Sequence, residues 1–341
     1  MRLVGQLLRA STPPLIWALS ALACKTTSLG NGVEGKAPLA SGSADVPEAL
    51  PAPRTSPAEG EVRFVALGDA GKGNQGQRDV GRALAAHCKR FGCDFVLLLG
   101  DNVYESGVSS ANDPLFHTLF EEPYAEVAAP FYVVLGNHDY GTSGAGMDLW
   151  RGAYEVEYTA RSKKWRMPSE YYHFERALGR GGALEAGFFA LDTQMILLGR
   201  AARQRKEIAE WLDKSTAKWK VAFGHHPYLS NGPHGNAGHY NGVPFFGNPV
   251  KHFLEDEVCG KVDFYFAGHD HSLQLLEGGC KTTKLFVSGT GASPTSITNK
   301  NPTFYQSAEL GFLYGVLRED ELNVSVIDVA GSIQYARVYR K

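Results

Sequence analysis

No apolar run in the 341 residues approaches the ~20 needed for a membrane-spanning helix. No sign of charge dominates either. Lys and Arg number 34 against 36 Asp and Glu, and a net charge of −2 gives no electrostatic case for a nucleic-acid or polyanion surface. The serine-nucleophile signature GxSxG and the phosphate loop GxxxxGK[ST] are both missing, which removes two common hydrolytic designs. There is no internal repeat. Cysteine is sparse, with five in all, and Cys88 and Cys93 alone are too few ligands for a zinc knuckle.

What is present begins with an export signature. Arg2 and Arg9 precede the apolar stretch Leu15–Ala23, which ends in small residues before Cys24. Residues 1–23 are expected to be a signal peptide. Cys24 stands where a bacterial lipoprotein carries its lipid, so the protein is expected to be exported, either as a periplasmic or surface lipoprotein of the cell envelope or by plain secretion. Residues 24–60 are rich in Ala, Pro, Gly and Ser and cannot bury enough apolar surface to offset ordering, so they are expected to form a tether. A lipid on Cys24 leaves four cysteines, an even number in an oxidising compartment. Sequence proximity favours Cys88–Cys93 and Cys259–Cys280, with buried free thiols as the alternative.

From Glu61 to Lys341 the texture is that of one folded domain. Short apolar runs at 62–67, 95–99, 131–135, 188–191, 195–198, 220–223 and 263–267 read as strands. Helical spacing appears between them, at Val80, Leu84 and Cys88 and again through Ala202, Ile208, Trp211 and Leu212. This alternation is α/β, with a largely parallel central sheet. Fully apolar strands imply cover on both faces. The last third, with KLFVSG, GFLYGVL, LNVSVIDV and SIQYARVY, alternates like antiparallel strands.

Five of the strands end alike, in LGDAG, LGDNVY, LGNHD, FGHHP and AGHDH. Each closes on a glycine followed by a residue that can hold a metal. A turn accounts for the glycine and for an Asn or Asp, but not for the histidines. In open α/β sheets ligands bind beyond the carboxyl ends of the strands. Parallel neighbours would therefore gather Asp69, Asp101, Asn137, His225 and His269 into one crevice. A carboxylate such as Asp101 can bridge two cations. Asp69 and Tyr104 are hard oxygen donors suited to a strongly Lewis-acidic ion, whereas imidazoles and the Asn137 amide suit a divalent one. Two metals ~3.5–4 Å apart activate water for in-line displacement at phosphorus. His87, His117, His173, His239 and His252 stand outside the pattern as surface or core residues, and His226 is explained equally by a turn or by substrate contact.

In order, these blocks resemble the five metal-binding blocks of the calcineurin-like metallophosphoesterases. Tyr104, three residues after Asp101, narrows the resemblance to the purple acid phosphatases of the small, tartrate-resistant type. GDNVYESGV, KKWRMPSEYY, ALDT, GHDHSLQLLE and VSGTG extend it over essentially Glu61–Lys341. The resemblance implies a two-sheet β-sandwich flanked by helices (αββα) instead of one sheet. It implies a dinuclear centre of Fe(3+) plus a divalent Fe, Zn or Mn. One metal would take Asp69, Tyr104 and His271, the other Asn137, His225 and His269, with Asp101 bridging. His138 and His234 would contact the substrate beside Asn137, with His138 protonating the leaving group and Asp139 orienting His138. The activity implied is acid phosphatase, hydrolysing small-molecule phosphomonoesters by attack of a metal-bound hydroxide, in a monomer that binds no nucleic acid. A phosphodiesterase or nucleotide pyrophosphatase on the same scaffold is the alternative, and a tethered binding protein with a vestigial site is a third reading. The sequence departs from the family at Ala222, at His226 and in the loop Asn231–Phe246, which is rich in Gly and Asn and borders the site.

Overall fold

The run Val62–Leu67 is buried along its whole length, which requires cover on both faces. A computed structural model, describing residues 60–178 and 184–341, supplies that cover with two sheets packed face to face. The signal peptide, Cys24 and all but the last residue of the expected tether lie outside the described residues.

In chain order the strands are β1 (Val62–Leu67), β2 (Phe95–Leu99), β3 (Phe131–Val134), β4 (Trp165–Arg166), β5 (Tyr172–Leu178), β6 (Leu184–Ala190) and β7 (Trp219–Phe223). They continue with β8 (Phe264–Ala267), β9 (Leu273–Leu276), β10 (Lys284–Ser288), β11 (Thr303–Ser307), β12 (Gly311–Leu317), β13 (Glu321–Asp328) and β14 (Ile333–Arg340). The α-helices are α1 (Gln75–Phe91), α2 (Arg151–Tyr158), α3 (Thr193–Leu197), α4 (Ala202–Lys214) and α5 (Asn248–Phe253).

One sheet runs β14-β13-β12-β1-β2-β3-β4 and the other β11-β9-β10-β8-β7-β6-β5. The fold is thus a two-sheet sandwich flanked by helices. The first, single-sheet reading is corrected: β1, β2 and β3 are parallel neighbours in one sheet, while β7 and β8 are parallel neighbours in the other. Both sets of carboxyl ends nevertheless meet at the same seam. Phenylalanine holds the sheets together. Phe64 on β1 meets Phe188 on β6 and Phe266 on β8 edge-on, at 5.8 and 5.6 Å between ring centroids. That is the favoured aromatic geometry.

Two local expectations also change. The run 195–198, apolar enough for a strand, lies in α3 and the turn that closes it, because the Asp192 carboxylate accepts the Met195 N–H and starts a helix. KLFVSG is not antiparallel to its neighbours throughout: β10 pairs parallel with β8 and antiparallel with β9. The three strands β12–β14 are antiparallel, as their alternation indicates. Helix α1 starts where Asn74 accepts the Gln77 N–H and stops at Gly92, which has a positive φ.

Both proximity pairings of cysteine are disulfides, Cys88–Cys93 and Cys259–Cys280. The second closes a loop, with a sequence separation of 21, around β8, the AGHDH turn and β9. Cross-linking a loop of that length restricts the unfolded chain by about 3 kcal/mol. Replacing Cys259 and Cys280 together by serine is expected to lower unfolding free energy by that amount in urea titration, and an unchanged midpoint would contradict it.

Candidate dinuclear metal centre

Three of the strand-end glycines, Gly100, Gly136 and Gly268, leave room for a donor from another block. A Cβ on Gly136 would stand 2.2 Å from Asp101 Oδ1, and one on Gly268 would stand 2.6 Å from Asp69 Oδ2. The residues that follow are bent sharply as well: Asp69, Asp101 and His269 all have positive φ, at 57°, 53° and 69°. Such backbone is uncommon outside glycine and concentrates at functional sites.

The donors fall into two groups joined by one carboxylate. In the first, the Tyr104 hydroxyl lies 3.2 Å from Asp69 Oδ1, 3.2 Å from His271 Nε2 and 2.9 Å from Asp101 Oδ2. In the second, His225 Nε2 lies 3.0 Å from Asn137 Oδ1, 3.0 Å from His269 Nδ1 and 3.5 Å from Asp101 Oδ1. Asp101 therefore presents one oxygen to each group. Separations near 3 Å are those of donors around one ion with bonds of about 2.1 Å.

Tautomers and amide orientation suit the same purpose. His225 Nδ1 donates to the Leu99 carbonyl, 2.9 Å away, which leaves the Nε2 lone pair facing its neighbours. Asn137 donates its NH₂ to the Gly144 carbonyl, turning its oxygen inward. His269 is held well below the usual imidazole range by burial, with His234, His226, His225 and His271 adding to it, so its nitrogen stays an acceptor. Burial would raise Asp101, but His225, His138, the His138 N–H and the Tyr104 hydroxyl outweigh it and bring it to about 2. Burial and the carboxylates of Asp101 and Asp69 push the Tyr104 phenol well above its ordinary value. A half-buried phenol between two carboxylates and beside the His271 nitrogen is a donor set that fits cations.

Two further imidazoles flank this cluster. His138 Nδ1 donates to the Glu105 carbonyl at 2.8 Å, with the Glu105 carboxylate at 3.8 Å, and its ring lies 4.3 Å from that of Tyr104. His234 stacks on His269 at 4.1 Å and meets Asn241 Oδ1 through Nδ1 at 2.6 Å. Each thus keeps Nε2 free of these bonds. The histidines outside the pattern are surface or core residues: His117, His239 and His252 are exposed, His87 is buried against Tyr314 and Phe91, and His173 packs on Trp211.

The family model for calcineurin-like phosphoesterases matches residues 62–273. The chain belongs to the calcineurin-like phosphoesterase family. Within it the likeness is to purple acid phosphatases. Identity is 30% over 307 residues with tartrate-resistant acid phosphatase type 5 of Sus scrofa, covering 79% of this chain and 84% of that one. It is 27% over 311 residues with purple acid phosphatase 3 of Arabidopsis thaliana, covering 82% and 77%. The solved structure of GAP50, described as the anchor in the inner membrane complex of Plasmodium, shares the fold. Its TM-score is 0.69 and its identity 21%, with 83% of this chain and 89% of that one covered. In this phosphoesterase, β12–β14 lie beyond the matched residues yet complete the first sheet through β1.

Several residues that build the phosphoesterase site escaped the sequence reading. Thr193 Oγ1 accepts the N–H groups of His225 and His226, fixing that turn, and His226 Nδ1 meets the same hydroxyl at 2.8 Å. Asp270, the unassigned acid of GHDH, accepts the N–H of His234 and of Gly235. Asp139 requires a correction. Its carboxylate does not touch His138; it accepts the N–H groups of Asn102, Val103 and Gly136 and the Asn102 amide. It clasps the β2 and β3 turns together, and Glu105 orients His138 instead.

Behind Asp139 lies Glu155, fully buried. Burial and Asp101 push Asp139 up, while burial and Asp139 push Glu155 up. Four N–H donors converge on Asp139, so the shared proton resides on Glu155. Asp139→Asn, which turns a donor toward those N–H groups, should lose about 2–4 kcal/mol of stability in urea titration. Glu155→Gln should lose less than about 1 kcal/mol. The reverse order would show that the proton sits on Asp139.

Proposed function

We propose that this chain is an exported acid phosphatase that hydrolyses phosphomonoesters with a dinuclear metal centre. The observation that carries the reading is Asp101, whose two oxygens face two separate donor groups across the seam of the sheets. Asp69, Tyr104 and His271 would hold one metal; Asn137, His225 and His269 would hold the other, with Asp101 shared. Fe(3+) suits the phenolate and carboxylate donors, and a divalent Fe, Zn or Mn suits the imidazole and amide donors. When bound, such a pair supplies a nucleophilic water at low pH and charge to offset the phosphoryl oxygens.

The chain's own residues supply the rest. The His138 imidazole, its Nδ1–H tied to the Glu105 carbonyl, holds a proton on Nε2 for the leaving-group oxygen. His234, stacked on His269 and tied to Asn241, presents Nε2 to the phosphate, beside the Asn137 amide. Burial holds His269 well below the usual imidazole range, so its nitrogen stays unprotonated in acid, which supports acid operation. Two disulfides support an oxidising compartment, reached by export with or without a lipid on Cys24. The domain would run from residue 61 to 341.

His138→Ala should lower kcat for p-nitrophenyl phosphate by at least about 10²-fold. Bis-p-nitrophenyl phosphate serves as the control, and preferential turnover of that diester would favour a phosphodiesterase. In iron-loaded protein, Tyr104→Phe should remove a visible charge-transfer band. An undiminished band would take Tyr104 out of the ligand set.

A further inference from the structure

Five large apolar side chains are exposed among the described residues, and four of them sit on two loops beside the candidate centre. Met147 and Trp150, 46% and 60% exposed, follow the β3 turn of the first sheet. Phe245 and Phe246, 76% and 42% exposed, follow His234 on the side of the second sheet. Exposed large apolar groups scattered singly need no explanation, but two pairs on loops that border a polar site do.

Both loops are built, and both are joined to the site. In the first, the Gly144 carbonyl accepts from the Asn137 amide, and Gly144 lies so close to His138 that a Cβ there would stand 2.6 Å from the imidazole. Gln194 donates to the Gly146 carbonyl and fixes the next turn. In the second, the Tyr240 N–H donates to Phe246 O and the Asn241 N–H to His234 O, closing the loop on itself. Tyr240 is buried, donates its hydroxyl to the Pro227 carbonyl, and bridges Phe246 at 6.3 Å and His269 at 6.0 Å between ring centroids. Phe245 has a φ of 67°, a conformation that costs a bulky residue free energy, and it carries the most exposed large apolar group among the described residues. A loop held by this many bonds and still presenting two phenylalanines to water is arranged for contact.

We infer that these loops select phosphomonoesters whose leaving group is apolar, an aryl or alkyl tail laid on Phe245, Phe246, Met147 and Trp150 while the phosphate sits on the metal-site residues. The inference rests on the phosphomonoesterase reading above and names the substrate class of the same site. Sugar phosphates and nucleotides would put hydroxyls against this rim and gain nothing from it.

The n-alkyl phosphates isolate the contact, because chain length barely changes the acidity of the leaving alcohol. A fully covered methylene adds about fourfold and one covered on a single side about twofold. From ethyl to hexyl phosphate, four methylenes further and below micelle-forming concentration, kcat/KM should therefore rise about sixteenfold. That rise should shrink at least threefold in Phe245→Ser/Phe246→Ser or in Met147→Ser/Trp150→Ser, with circular-dichroism melts confirming that the variants fold. A flat series in a wild type that turns over ethyl phosphate overturns the selection while leaving the phosphatase reading intact, and so does a rise that both variants retain. Loss of binding to phosphatidylglycerol vesicles in the variants, beside a flat series, would assign the rim to a membrane surface and overturn the inference. Turnover of no phosphomonoester would sink the phosphatase reading itself.

Discussion

Asp69 accepts the backbone N–H of His269 at 2.8 Å, across the seam between the two sheets, and the site depends on bonds of this kind. His225 reaches back over the same seam to Leu99 O, and Ser288 Oγ to Ala66 O. Within the first sheet Asp101 accepts the His138 N–H at 2.9 Å. Each carboxylate that could hold a cation therefore also holds the backbone of a different block. The donors are positioned by one another, which is what a preorganised site requires. It also explains the glycines before Asp101, Asn137 and His269: the space a side chain would fill is already taken by His225, Asp101 and Asp69.

The repeated pattern of apolar strand, glycine and donor was legible because each instance is local, and five in order single out the residues that the structure gathers. The residues that hold those donors were not legible. Asp139 looks from its neighbours like a partner of His138, yet it spends its oxygens on N–H groups 3, 36 and 37 positions away. Thr193 and Asp270 likewise act on residues more than thirty positions distant. Nothing in the spacing of a sequence encodes such bonds; they exist only once the strands are in place.

The division between sheets was hidden for a similar reason. All five strand ends carry the same signal whichever sheet they belong to, because each feeds the same seam. Only the family resemblance separated them. The helix at Thr193–Leu197 shows local competition, where four apolar residues could have extended a strand but the Asp192 carboxylate captured the Met195 N–H first. Tertiary cover then made either outcome equally apolar.

Strand β1 carries the consequence furthest from the chemistry. It pairs on one side with β2, but its other neighbour is β12, with Val62 opposite Leu317. While the polypeptide is being synthesised, that edge has no partner until nearly the whole chain has emerged. Asp69, at the tip of the same strand, likewise waits for His269, 200 positions further along the chain. Pairings so distant in sequence are slow to form, so the first sheet, and with it the site at its seam, closes late in folding.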